Sequence, residues 1–132
     1  MPKSLKTLIR LHKNDIDKQI EIIGKINLHL ERLNAALNHL KTQMEEEMAV
    51  TIYGFADIAT SYMATNIERQ EMLKNEIVKI EESLAREQEI LRLLFESKKK
   101  YEIIEEKQIA EKMAKIERLE QANLDEINLR PK

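Results

Sequence analysis

The sequence predicts an all-α fold: an antiparallel two-helix coiled-coil hairpin whose longer second helix overhangs the N-terminus. Three observations predict it. Ile9, Ile16, Ile23, Leu30, Leu37 and Met44 recur every seven residues without a break. A strict seven-residue repeat keeps one helix face against a partner and winds the pair left-handedly. The chain holds two glycines, two prolines and 4% aromatics against 35% charged residues, which suits one long seam better than a rounded core. Only one interior stretch, residues 50–55, reads as a turn.

With 132 residues the expectation is a single coiled-coil domain over 1–132: helix one over about 4–49, the turn at about 50–55 and helix two over about 56–128. Calling the unbroken row a, the d row is Leu5, His12, Gln19, Ile26, Leu33, Leu40 and Glu47. It is apolar through its middle, from Ile26 to Leu40. Ser4 is the expected N-cap, because its hydroxyl can accept from an orphan main-chain N–H. Lys3, Lys6, Arg10 and Lys13 precede the first acid, Asp15. Basic residues are unfavourable at a helix N-terminus, so this is either a solvated face or a surface for an acidic partner. Gly24 costs roughly 1 kcal/mol against Ala inside a helix, and its place beside the seam suggests close helix approach. The helix is expected to fail at Val50-Thr51-Ile52-Tyr53-Gly54, where β-branched and aromatic residues lose χ1 freedom.

Phe55, Ile58, Tyr62, Met63 and Ile67 then fall at helical spacing. Asp57, Ser61 or Thr65 could cap the second helix. Thr65 and Glu68 have capping-box spacing, so a short helix before Thr65 and a main helix after it is a variant. The second seam is Leu73, Ile77, Ile80, Leu84, Leu91, Leu94 and Tyr101, with Glu87 as its polar intruder. Past Tyr101 the repeat slips: Ile109 lies eight residues on, and a skip of this kind changes supercoiling locally. Pro131 ends any helix by about Asn128.

The lengths predict the overhang. Roughly 45 and 70 residues make helices of about 70 and 100 Å. Folded back near residue 53, Ser4 should lie opposite about residue 102. Beyond that Ile103, Ile104, Ile109, Met113, Ile116, Leu119, Leu124 and Ile127 have no intrachain partner, and an overhanging apolar stripe is a docking element.

Composition and spacing argue against several functions. The 22 basic and 24 acidic residues give a net charge of −2, which does not favour nucleic acid or an anionic membrane. No cysteine is present, so no disulfide or thiolate metal site is expected. His12, His29 and His39 lack paired ligand spacing, and no metal or cofactor is expected. Glu45-Glu46-Glu47, Glu81-Glu82 and Glu105-Glu106 are adjacent in sequence, and helix neighbours point about 100° apart. Gly24 and Gly54 are isolated and form no phosphate loop. Lys98-Lys99-Lys100 reads as a solvated face paired to Glu96 and Glu102. The expectation is therefore not an enzyme. The Met1-Pro2-Lys3 start shows no secretory signal and no apolar run approaches a membrane span. The expected location is therefore cytoplasmic, with no membrane insertion.

Three stretches resemble the FliJ/YscO family, stalk-like proteins of flagellar and injectisome type III export. Leu5-Lys6-Thr7-Leu8-Ile9-Arg10-Leu11 resembles the family's basic, Leu-rich opening. Phe95-Glu96-Ser97-Lys98-Lys99-Lys100-Tyr101-Glu102 resembles its aromatic-x-x-x-Lys-x-x-Glu stretch. Glu120-Gln121-Ala122-Asn123-Leu124-Asp125-Glu126-Ile127-Asn128-Leu129-Arg130 resembles its ending. The resemblance implies an antiparallel two-helix coiled coil similar to a rotary ATPase shaft. It implies insertion of the paired termini into a hexameric export ATPase ring, whose assembly is promoted. It also implies contact with the cytoplasmic domain of the export gate, escort of export chaperones by some members, and a place beside the inner-membrane apparatus. On this reading Lys3, Lys6, Arg10, Leu124, Asp125, Ile127 and Arg130 face the ring, and Tyr62, Asn66, Ile67 and Gln70 mark the gate region. A monomer is expected. The competing reading is a generic structural coiled coil that homodimerises through its C-terminal helix.

Overall fold

The computed structural model describes residues 4–51 and 56–129, with the main chain alone at 50, 51 and 56–59. Two α-helices, α1 (Leu5–Thr51) and α2 (Ala56–Leu129), form an antiparallel hairpin, and there is no strand among the described residues. α1 runs two residues past the expected end at 49. The propensity loss of Val50 and Thr51 is only a few tenths of a kcal/mol each, too little to stop a helix already propagating. The rest of the expected turn, 52–55, lies outside the described residues.

Ser4 caps α1 as its chemistry dictates. Its carbonyl accepts from the Thr7 and Leu8 amides at 3.0 and 3.2 Å, and its hydroxyl accepts from the Thr7 amide at 3.3 Å. α2 is continuous through Thr65, so there is no separate short helix. Thr65 is no cap, because its hydroxyl donates to the Ser61 carbonyl one turn back (3.2 Å), a bond a mid-helix Thr makes.

In the region 18–91 the seam is the heptad pattern made physical. On α1, Ile23, Ile26, Leu30, Leu33, Leu37, Leu40, Met44 and Glu47 are buried or half-buried. On α2, Met63, Asn66, Gln70, Leu73, Ile77, Ile80, Leu84, Glu87 and Leu91 answer them. The most enclosed side chains include polar ones: Gln19 is 6% exposed, Asn66 3% and Gln70 9%. Each is bonded. The Gln19 amide nitrogen donates to the Glu87 carbonyl (2.9 Å) and to its carboxylate. The Asn66 amide donates to the Leu40 carbonyl (3.0 Å), and its oxygen accepts from Gln70 (2.6 Å). No buried side-chain polar atom among the described residues lacks a partner.

Gly24 does not mark close approach. A Cβ placed on it would meet nothing within 4 Å, so nothing in the packing requires glycine there. Gly24→Ala should therefore raise the unfolding free energy by about 0.5–1 kcal/mol in a urea titration. Gln19→Leu alone should cost about 1–3 kcal/mol, because it strips the donor from a half-buried carboxylate. Gln19→Leu combined with Glu87→Leu should recover most of that loss.

The remaining region, 1–17 with 92–132, holds the start of α1 against α2. Ile16 is 4% exposed, with Leu5, Leu8, Ile9 and His12 half-buried on α1 and Leu94, Ser97, Lys98, Tyr101, Glu102 and Glu105 half-buried on α2. His12 leans on Tyr101 with ring centroids 5.0 Å apart and tilted by 59°. Its Nδ1–H donates to the Leu8 carbonyl at 3.0 Å. From Glu106 to Leu129 every residue is exposed.

Candidate partner-binding site: the C-terminal overhang

The start of α1 gives out close to where helix lengths suggested. Tyr101, Glu102 and Glu105 are the last half-buried residues of α2. Ser4, Leu5 and Lys6 border a shallow groove of about 350 Å³ whose other wall is Glu105, Gln108, Ile109 and Lys112.

Past this groove α2 carries its apolar side chains in solvent: Ile109 is 52% exposed, Met113 57%, Ile116 43%, Leu124 54% and Ile127 59%. At about 100° per residue, Ile109, Met113, Ile116 and Ile127 fall within an arc of about 60°, with Leu124 at its edge. Ile103 and Ile104, counted with the stripe from sequence, project to other faces, and Leu119 lies to the opposite side. The stripe does not simply prolong the seam. Continuing the heptads from Tyr101 and Glu105 leads to Gln108 and Lys112, both polar. The apolar row sits one residue later, about a quarter-turn around the helix. A partner seated on it approaches from beside α1.

Charges flank this row: Glu106 and Glu117 on one side, and Lys112, Lys115 and Glu126 on the other. Gln121 donates to the Asp125 carboxylate at 3.1 Å one turn on. Nearer the hairpin, Lys98 pairs with Glu102 (3.3 Å), and Arg92 and Lys100 with Glu96 (3.0 and 3.7 Å). The Lys98-Lys99-Lys100 run therefore carries its own counter-charges, though Lys98 also fills a seam position.

The residues expected to face a ring do not form one patch. Lys6 and Arg10 are exposed near the start of α1, and Leu124, Asp125 and Ile127 are exposed on the overhang. Some 12–15 residues of helix, about 20 Å, separate Lys112 at the groove from that second group. Lys3 and Arg130 lie outside the described residues. The four residues of the expected gate region also divide. Tyr62 (42%) and Ile67 (47%) are exposed, whereas Asn66 and Gln70 are sealed in the seam with their amides engaged. Beside them an apolar depression of about 290 Å³ is lined by Leu40, Arg69, Met72 and Leu73. No motif or spacing singles out Arg69 or Met72 in the sequence. Asn66 and Gln70 stand one heptad before Leu73 and Ile77, and strict extension of the repeat would have placed them inside.

His29 and His39 are exposed. Among the described residues no group of three or more His, Asp or Glu is placed to hold a metal ion, and no helix is long and apolar enough to cross a membrane. No protein-family model, curated protein or solved structure matches this chain.

If the overhang contributes nothing to the hairpin, replacing Ile109, Ile116 and Ile127 together by Ser should leave the thermal midpoint of the isolated chain within about 2 °C of the parent. Leu37→Ala, in the seam, should cost about 2–4 kcal/mol. Circular dichroism melts distinguish the two.

Proposed function

We propose that the chain is a non-enzymatic central-stalk and escort component of a type III protein export apparatus, of the FliJ/YscO kind. In this reading its paired termini enter a hexameric export ATPase ring, and α2 also meets the cytoplasmic domain of the export gate. One observation carries the reading. The overhang keeps apolar residues at coiled-coil spacing over a stretch where folding of the chain buries none of them. Holding such a stripe in water is unfavourable, at roughly 25 cal/mol per Å² of apolar surface left uncovered. It is explained if a second protein covers it.

The family resemblance of the opening, the Phe95–Glu102 stretch and the Glu120–Arg130 ending gives that partner a name. The ring contact then has two levels among the described residues: Lys6 and Arg10 near the start of α1, and Leu124, Asp125 and Ile127 further along α2; Lys3 and Arg130 belong to the same reading by sequence. For the gate, Tyr62 and Ile67 are the residues with accessible side chains, with Met72 and Arg69 beside the apolar depression. Asn66 and Gln70 serve by holding α2 against α1.

The test is the hydrolysis rate and hexamer formation of the cognate export ATPase, with the intact chain and with a version ending at Ile103. Intact chain should stimulate both, and the shortened chain should return them to the level of ATPase alone. An intact, folded chain without effect would rule the shaft role out.

A further inference from the structure

The exposed stripe of α2 is interrupted in its middle. Ile109, Met113 and Ile116 occupy successive seam positions, alternating by four and three residues. Glu120 and Asn123 take the next two before Ile127 resumes. All six side chains are exposed. Glu120 has no cation on its own helix. The residues three and four away, those that share its face, are Ile116, Glu117, Asn123 and Leu124.

What a second helix would meet follows from the spacing. A second copy laid parallel and in register would set Lys112 against Glu117 of the other copy and Leu119 against Leu124, both favourable flanking pairs. It would also set Glu120 against Glu120 in the centre of the seam. An antiparallel copy that keeps Ile109 over Ile127 sets Lys112 against Glu126, but it puts Glu120 over Ile116, and Glu117 against Glu117. Either arrangement removes a carboxylate from water with no cation to receive it, which is strongly unfavourable.

We propose that Glu120, with Asn123, makes this stripe refuse a second copy of the chain and select a helix of another protein. The occupant carries Lys or Arg in the layer over Glu120, apolar residues in the layers over Ile116 and Ile127, and an acid beside Lys112. This deepens the stalk reading by giving the chemistry of the surface that takes the overhang. It rests on that reading only for the identity of the partner. One buried like-charge or polar layer is a device by which coiled coils choose partners, at a cost in stability.

The experiment is sedimentation equilibrium on four samples: the parent chain, Glu120→Leu with Asn123→Leu, Glu120→Lys, and an equimolar mixture of parent and Glu120→Lys. The substituted side chains are exposed on an uncovered helix, and circular dichroism verifies that each variant keeps the parent's helicity. The Glu120→Lys chain serves as the probe, since it is a helix of matching spacing with a cation at the required layer. The parent and Glu120→Lys should each be monomeric alone. The double Leu variant should dimerise at least about 100-fold more tightly than the parent. The mixture should form a one-to-one complex at concentrations where neither component self-associates. A parent chain that dimerises as tightly as the double Leu variant, or a double Leu variant that stays monomeric, would overturn the proposal. A mixture without heterodimer would overturn the requirement for a cation. No sample contains the export ATPase, so failure of this selection and failure of the stalk reading are separate results.

Discussion

The hydrogen bonds from Gln19 to Glu87 constrain how the two helices pair. A seven-residue repeat is permissive: sliding one helix past the other by a whole heptad restores apolar contact along most of the seam. Shifted by a heptad, Gln19 would face Ile80 or Leu94, neither of which has a side-chain acceptor, and the Glu87 carboxylate would lose its donor. The Asn66 bond to the Leu40 carbonyl belongs to the same alignment, since residues 19 with 87 and 40 with 66 have equal sums. Each heptad of slippage would also cover or uncover about 10 Å of α2. The Gln19–Glu87 layer therefore opposes slippage of the two helices within the region 18–91.

Such layers matter because a two-helix seam encloses so little. Three apolar side chains, Ile16, Leu37 and Ile77, are less than 9% exposed, and three polar ones, Gln19, Asn66 and Gln70, are as deeply enclosed or nearly so. The rest of the apolar seam is half-covered, and its contribution is spread over many partial burials. A buried amide with its partners satisfied weakens such a seam little, whereas an unsatisfied one is costly. Surface ion pairs do not change this balance. Lys25–Glu21 and Lys74–Glu71 join side chains about half or more exposed, where solvent and salt screen the attraction.

Much of this was legible in the residues. The a row from Ile9 to Met44 and the d row from Leu5 to Glu47 are the covered face of α1, polar members included, because period alone decides which side chains face a partner. The Ser4 cap was equally readable. On α2, apolar identity was a poorer guide than period. Tyr62, Asn66, Ile67 and Gln70 read together as one gate-contact region, yet Tyr62 and Ile67 are exposed while Asn66 and Gln70 are buried. A side chain's polarity does not decide its face once a partner carbonyl lies within reach. Gly24 misled for a related reason: its place beside the seam suggested contact, but the neighbouring helix does not come near enough to need a missing Cβ. The overhang was foreseen from lengths. Helix lengths carry no sign of its polar interruption at Glu120 and Asn123.

The overhang is stable as a helix for reasons unconnected with burial. Residues 106–129 contain no glycine or proline and are rich in Glu, Lys, Ala, Ile and Leu, and α1 gives α2 an already nucleated helix to extend. Helicity there would be served as well by Ala, Gln or Lys at positions 109, 113, 116 and 127, and solubility would be served better. Local structure therefore does not account for apolar residues at those four positions. Their spacing matches what a second helix can bury, and the slip of one residue turns them away from the face already committed to α1. A segment that only lengthened the hairpin would have kept the original register so that α1 could grow over it. The change of face at the end of α1 divides α2 into a part that holds its own chain and a part whose apolar row its own chain leaves uncovered.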